Sequence, residues 1–120
     1  MLESFIAALT LIAQPATAEP SDIALRASGS GRWSVSCDFE TERGTRQDRA
    51  RGRSLSDFDT LRGANAFSAS CRYEAEEGAR FVLRFLQADG FACPFNPESE
   101  IDDCQISLTG PVSGTFTIER

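Results

Sequence analysis

The sequence predicts an all-β fold: a small antiparallel β-sandwich or barrel-like domain stapled by two disulfides and preceded by a cleavable signal peptide. Three observations carry that prediction. Apolar residues recur with period two, in stretches separated by Gly-, Pro- and Ser-rich breaks. Four cysteines, at 37, 71, 93 and 104, make an even set in a chain of 120 residues, which is room for one small domain. The first eighteen residues, MLESFIAALTLIAQPATA, read as an export signal.

In that leader an apolar run from Phe5 to Ile12 is followed by Pro15 and then by Ala16-Thr17-Ala18, small at both positions a signal peptidase reads. Its n-region departs from the usual pattern, with Glu3 and no Lys or Arg. A buried first helix is the competing reading, but Leu2, Phe5, Ile6, Leu9, Leu11 and Ile12 leave almost no polar face. The run is too short to cross a bilayer, which takes roughly 20 apolar residues. No Cys lies near the cleavage point to mark a lipoprotein. The expected organisation is a signal peptide over 1–18 and one β domain over 19–120, periplasmic or secreted. Losing Glu3 moves the net charge from −6 to −5.

Along the domain, Ile23 to Ala27 is a candidate first strand. Trp33, Val35, Cys37 and Phe39 alternate with Ser34, Ser36, Asp38 and Glu40, the pattern of a strand with one face in the core and one in water. The segment around Arg49 to Arg53 is a candidate edge strand. Ser56 to Leu61 reads as a short helical turn, with Ser56 as N-cap and Asp57 and Asp59 in the first turn. Phe67, Ala69, Cys71 and Tyr73 alternate with Ser68, Ser70, Arg72 and Glu74. Phe81, Leu83 and Phe85 mark a further strand, expected to be central and covered on both sides because Val82 and Leu86 are also apolar. Ile106 with Leu108, and Phe116 with Ile118 after the Gly110-Pro111 and Ser113-Gly114 breaks, mark the last two.

Four cysteines allow three connectivities. Cys37 and Cys71 both fall on core faces of alternating strands, so they are expected to pair. Cys93 and Cys104 then close the loop CPFNPESEIDDC, whose two Pro and four acids suit no core strand. By loop entropy the two closures are worth roughly 4 and roughly 3 kcal/mol. Zinc is the rival use of four cysteines, yet no spacing is C-x-x-C. No metal and no cofactor is expected.

Composition excludes more chemistry than it suggests. Without His there is no Ser/His or Cys/His dyad and no imidazole base. All twelve basic residues are Arg, so there is neither a Schiff-base nor a P-loop Lys. The remaining acid pairs, Asp57 with Asp59 and Glu74 with Glu76 and Glu77, are sequence neighbours. Glycoside hydrolysis needs two carboxyls facing each other across a cleft. The chain is expected not to be an enzyme, a small carboxylate-dependent hydrolase being the remote alternative.

Two charge clusters remain. RGTRQDRARGR, residues 43–53, holds five Arg against Asp48. Arg46, Arg49, Arg51 and Arg53 are candidate ligands for phosphate, sulfate or carboxylate, and the bland reading is a charged edge strand that resists pairing with other chains. Glu98, Glu100, Asp102 and Asp103 could offer oxygen to calcium, but the spacing is not that of a calcium loop, and a solvated acidic loop is the expectation. Phe91 and Phe95 flank Cys93; they plug the end of a sandwich or, if exposed, form the aromatic centre of a docking patch.

Trp33-Ser34-Val35-Ser36-Cys37 is similar to the W-x-V-x-C strand near the start of invasion-associated locus B proteins, small exported β proteins of bacteria. The match covers five residues; it implies an exported β protein and no particular function. The expectation from the residues themselves is a non-catalytic module docking on a protein of the cell envelope. Binding of an anionic polymer or lipid head group is the alternative. Nucleic acid is not expected, because the domain is acidic and no aromatic residue interleaves the arginines, and no segment is expected to span a membrane.

Overall fold

The computed structural model describes residues 19–86, 90–95 and 104–120. Residues 1–18, the expected signal peptide, and the acidic cluster 98–103 lie outside the described residues. Seven strands form: β1 (Ser21–Ser30), β2 (Trp33–Thr41), β3 (Gly44–Gly52), β4 (Asp57–Ala75), β5 (Arg80–Phe85), β6 (Gln105–Thr109) and β7 (Val112–Ile118). Their hydrogen-bonded order is β3-β2-β4-β1-β5-β6, with β7 added to β4, and every pairing is antiparallel.

The architecture turns on β4. Its first half pairs with β1, from Gly29 opposite Asp57 to Ser21 opposite Ala66; its second half pairs with β2, from Thr41 opposite Ala66 to Trp33 opposite Ala75. One 19-residue strand therefore serves both halves of a single seven-stranded sheet and bends between them. The bend has local causes. Gly63 lies against Phe39, where a Cβ would come within 2.4 Å of the ring, and Asn65 takes a positive φ of 53°. The Asp22 carboxylate accepts the Asn65 N–H, fixing the corner.

Ser56 to Leu61 is not a helical turn. Asp57 to Leu61 are extended, and Phe58, Thr60 and Leu61 lie opposite Ser28, Arg26 and Leu25 of β1. The signal taken for an N-cap is turn chemistry. The Asp57 carboxylate accepts hydrogen bonds from the N–H groups of Arg53 and Ser54 and from the Ser54 hydroxyl, all on its N-terminal side, so it closes the β3–β4 connection. β5 also differs from expectation. Phe81, Leu83 and Phe85 are buried, but Val82 is half-buried on the outer face between Ser28 and Ser107, so that strand is covered on one side.

On the inner face of this bent sheet the buried residues form one core, with Phe39, Phe81, Phe85, Leu25, Leu61 and Ile118 almost fully buried. Trp33 stacks on Phe81, ring centroids 5.3 Å apart. Both disulfides form as the strand faces imply: Cys37 with Cys71, directly opposite each other on β2 and β4, and Cys93 with Cys104. Disulfides persist in oxidising, extracytoplasmic surroundings. Among the described residues no helix is long and apolar enough to cross a membrane.

Candidate functional site

The outer face of the β3-β2-β4-β7 sheet carries the candidate site. Period-two alternation sends Trp33, Val35 and Cys37 into the core and leaves Ser34 and Ser36 facing out from β2. Register then decides their neighbours. Ser36 lies between Arg49 of β3 and Arg72 of β4, and Ser34 between Arg51 and Glu74. One row further on, β7 sets Thr115 beside Arg72 and Ser113 beside Glu74.

Small side chains flanked by long ones make a trough. Adjacent strands are about 4.8 Å apart, so the backbones of Arg49 and Arg72 stand about 10 Å apart across Ser36, while Arg49 and Arg51 are about 7 Å apart along β3. The trough is open to solvent, with a volume of about 420 Å³. Arg32, Arg53 and Glu76 extend it at the end where β3 finishes. Five arginines and two glutamates thus line it, a local excess of positive charge on a chain whose net charge is −6. Among the described residues the guanidinia of Arg49, Arg51 and Arg72 donate no hydrogen bond; the arginine side chain that does is Arg120, to the Glu19 carbonyl oxygen.

The sequence-predicted cluster divides here. Arg49 and Arg51 share the outer face, and Arg53, just beyond the strand, joins them. Arg46 does not: it lies opposite Phe39, on the other face of β3. Arg72, Arg32 and the two serines complete the site and were missed by a reading confined to residues 43–53. β3 is an edge strand. Asp48 is on its inner face and accepts hydrogen bonds from the N–H groups of Arg49 and, through its other oxygen, Arg62 of β4. A side chain thereby closes the gap between β3 and the first half of β4 where no ladder forms.

Phe91 and Phe95 sit elsewhere. Phe91 is 5% exposed, with the Arg120 guanidinium 4.6 Å from its ring centroid. Phe95 is half-buried and packs edge-on against Phe116 at 4.9 Å. The Ala92 N–H donates to the Glu119 carbonyl, so this segment lies along the end of β7 and plugs the sandwich. The exposure that a docking role requires is absent at Phe91. Among the described residues no cluster of acids and cysteines could hold a metal ion, and the calcium candidates at 98–103 lie outside them.

No protein-family model matches the chain, and comparison with curated proteins and with solved structures gives no significant match.

Proposed function

We propose that this chain is an exported binding module, periplasmic or secreted and without catalysis of its own, that holds an anionic ligand of the cell envelope in the arginine trough. One observation carries the reading: Arg49, Arg51 and Arg72 surround a floor of two serines, and no hydrogen bond among the described residues occupies their guanidinia. A guanidinium presents planar, forked donors that match carboxylate, sulfate and phosphate, and the Ser34 and Ser36 hydroxyls add donors between them. The leader over 1–18 and the two disulfides support the compartment. Docking on an envelope protein through Phe91 and Phe95 is the weaker reading, because Phe91 is buried.

The test is binding of dextran sulfate, a soluble polyanion, by the oxidised protein and by the Arg49→Ala/Arg51→Ala/Arg72→Ala variant. Exposed ion pairs contribute about 0.2 to 1 kcal/mol each, so the triple variant should bind about threefold to about 150-fold more weakly. Wild-type affinity should fall steeply between 0.1 and 1 M salt, as the Debye length shrinks from about 10 to about 3 Å. A folded triple variant that binds as the wild type does removes the trough from the account.

A further inference from the structure

Among the described residues three large apolar side chains are exposed rather than buried or half-buried, and two of these fall within four residues of each other. Leu55 is 91% exposed and Phe58 is 71% exposed, the third being Leu86 at 38%. Single exposed apolar residues are ordinary, so exposure alone decides nothing. Position does. Leu55 occupies the β3–β4 turn two residues after Arg53, which lines the trough. The Gly31 N–H donates to the Ser54 carbonyl at 2.9 Å and holds this turn against the β1–β2 turn, where Arg32 lines the same end of the trough. An apolar tip therefore stands beside the cationic end of the site.

The turn is braced from inside. The Asp57 carboxylate binds two of its N–H groups and the Ser54 hydroxyl, and its neighbour Asp59 accepts the Thr60 N–H. Leu55 is thus held out on a constrained turn rather than folded back on the core. Phe58 points outward from β4 opposite Ser28, and the Arg26 guanidinium lies 5.5 Å from its ring centroid. An exposed aliphatic group two residues from Arg53 and an aromatic ring paired with the Arg26 cation form the combination that suits the boundary between a phosphate layer and hydrocarbon. Glu74 and Glu76 line the trough as well and oppose the attraction, leaving the arginines in excess.

We infer that the anionic ligand is the surface of a phosphate-bearing lipid bilayer: head groups enter the trough while Leu55 and Phe58 insert beside them. This rests on the anion-binding reading above and narrows it. A dissolved polyanion offers no apolar layer to Leu55, whereas a bilayer offers both layers within 5–10 Å of depth. Peripheral attachment of this kind takes two weak signals together. Each arginine near an anionic surface contributes about fivefold in partition, and burial of the apolar pair contributes about tenfold or more.

The experiment is co-sedimentation of the oxidised protein with phosphatidylglycerol/phosphatidylcholine vesicles and with pure phosphatidylcholine vesicles, run beside dextran sulfate binding. The wild type should partition onto the anionic vesicles and at least about tenfold less onto the neutral ones. Leu55→Ser/Phe58→Ser should lose about tenfold on the anionic vesicles and keep its dextran sulfate affinity, since neither residue lines the trough. Equal partition of that variant and the wild type, or no wild-type partition, overturns the inference. If dextran sulfate still binds in an arginine-dependent way, the trough reading survives that failure; if it does not, both fall. Vesicle binding that persists in the Arg49→Ala/Arg51→Ala/Arg72→Ala variant also overturns the inference, because attachment would then not use the trough.

Discussion

Arg46 and Arg49 are both exposed and three residues apart, yet only Arg49 reaches the trough. Parity explains this: in a period-two strand 49 and 51 share a face and 46 does not. The sequence held that distinction, and the charge count over residues 43–53 obscured it. Arg72 was also legible in principle. If Cys37 and Cys71 are opposite each other on antiparallel strands, then Ser36 faces Arg72 and Ser34 faces Glu74, which is the register observed. Asp57 shows what local pattern cannot decide, since a Ser-Asp pair serves an N-cap and a turn equally well. Hydrogen bonds from the Arg53 and Ser54 N–H groups, then from the Ser54 hydroxyl, hold the Asp57 pKa below the ordinary carboxylate value. A lowered folded pKa means that the turn's stabilisation is full above the ordinary value and is lost as pH falls through the folded one. NMR titration of Asp57 should therefore give a midpoint below that of ordinary Asp, with the Arg53 and Ser54 amides losing hydrogen-exchange protection on the same acid limb. A midpoint at or above the ordinary value would remove the brace assigned to this turn.

Among the elements, strands with strict alternation were readable and the first half of β4 was not. Trp33 to Phe39 and Phe67 to Tyr73 gave their faces directly, and the faces gave the disulfide between them. The first half of β4 lacks that signal, because Phe58 and Asp59 are both exposed and the buried positions Leu61 and Gly63 include only one apolar side chain. Only pairing with β1 and the close approach of Phe39 to Gly63 make it extended, and both are tertiary. The two disulfides tie different elements. Cys37–Cys71 joins β2 to β4 across 34 residues, and Cys93–Cys104 closes 11 at the plugged end. Loop entropy gives about 4 kcal/mol for the first and about 3 for the second. All four cysteines are buried in the core, so replacement leaves a cavity at either bridge and the loop length sets the order. Urea unfolding of Cys37→Ala/Cys71→Ala should show the larger loss of stability, and that of Cys93→Ala/Cys104→Ala the smaller. The reverse order would mean that the 90–95 plug, not the β2–β4 junction, holds the domain together.

For the whole molecule, charge is distributed unevenly. Residues 19–71 carry eight acids and eight arginines, and 72–120 carry nine acids and four arginines. Long-range attraction to an anion is weak for such a chain, so the proposed recognition rests on the local trough and on the face it presents. The asymmetry was visible in the sequence. Its organisation into one cationic trough was not, because Arg32, Arg49, Arg51, Arg53 and Arg72 come from two strands and two turns and meet only in the folded sheet. The most direct measurement is a ¹H–¹⁵N NMR titration of the oxidised protein with dextran sulfate at low salt. The account predicts that shifts concentrate at Ser34, Ser36, Arg49, Arg51 and Arg72 and reverse in 1 M salt; shifts confined to the segment around Phe91 and Phe95, or no shifts at all, would contradict it.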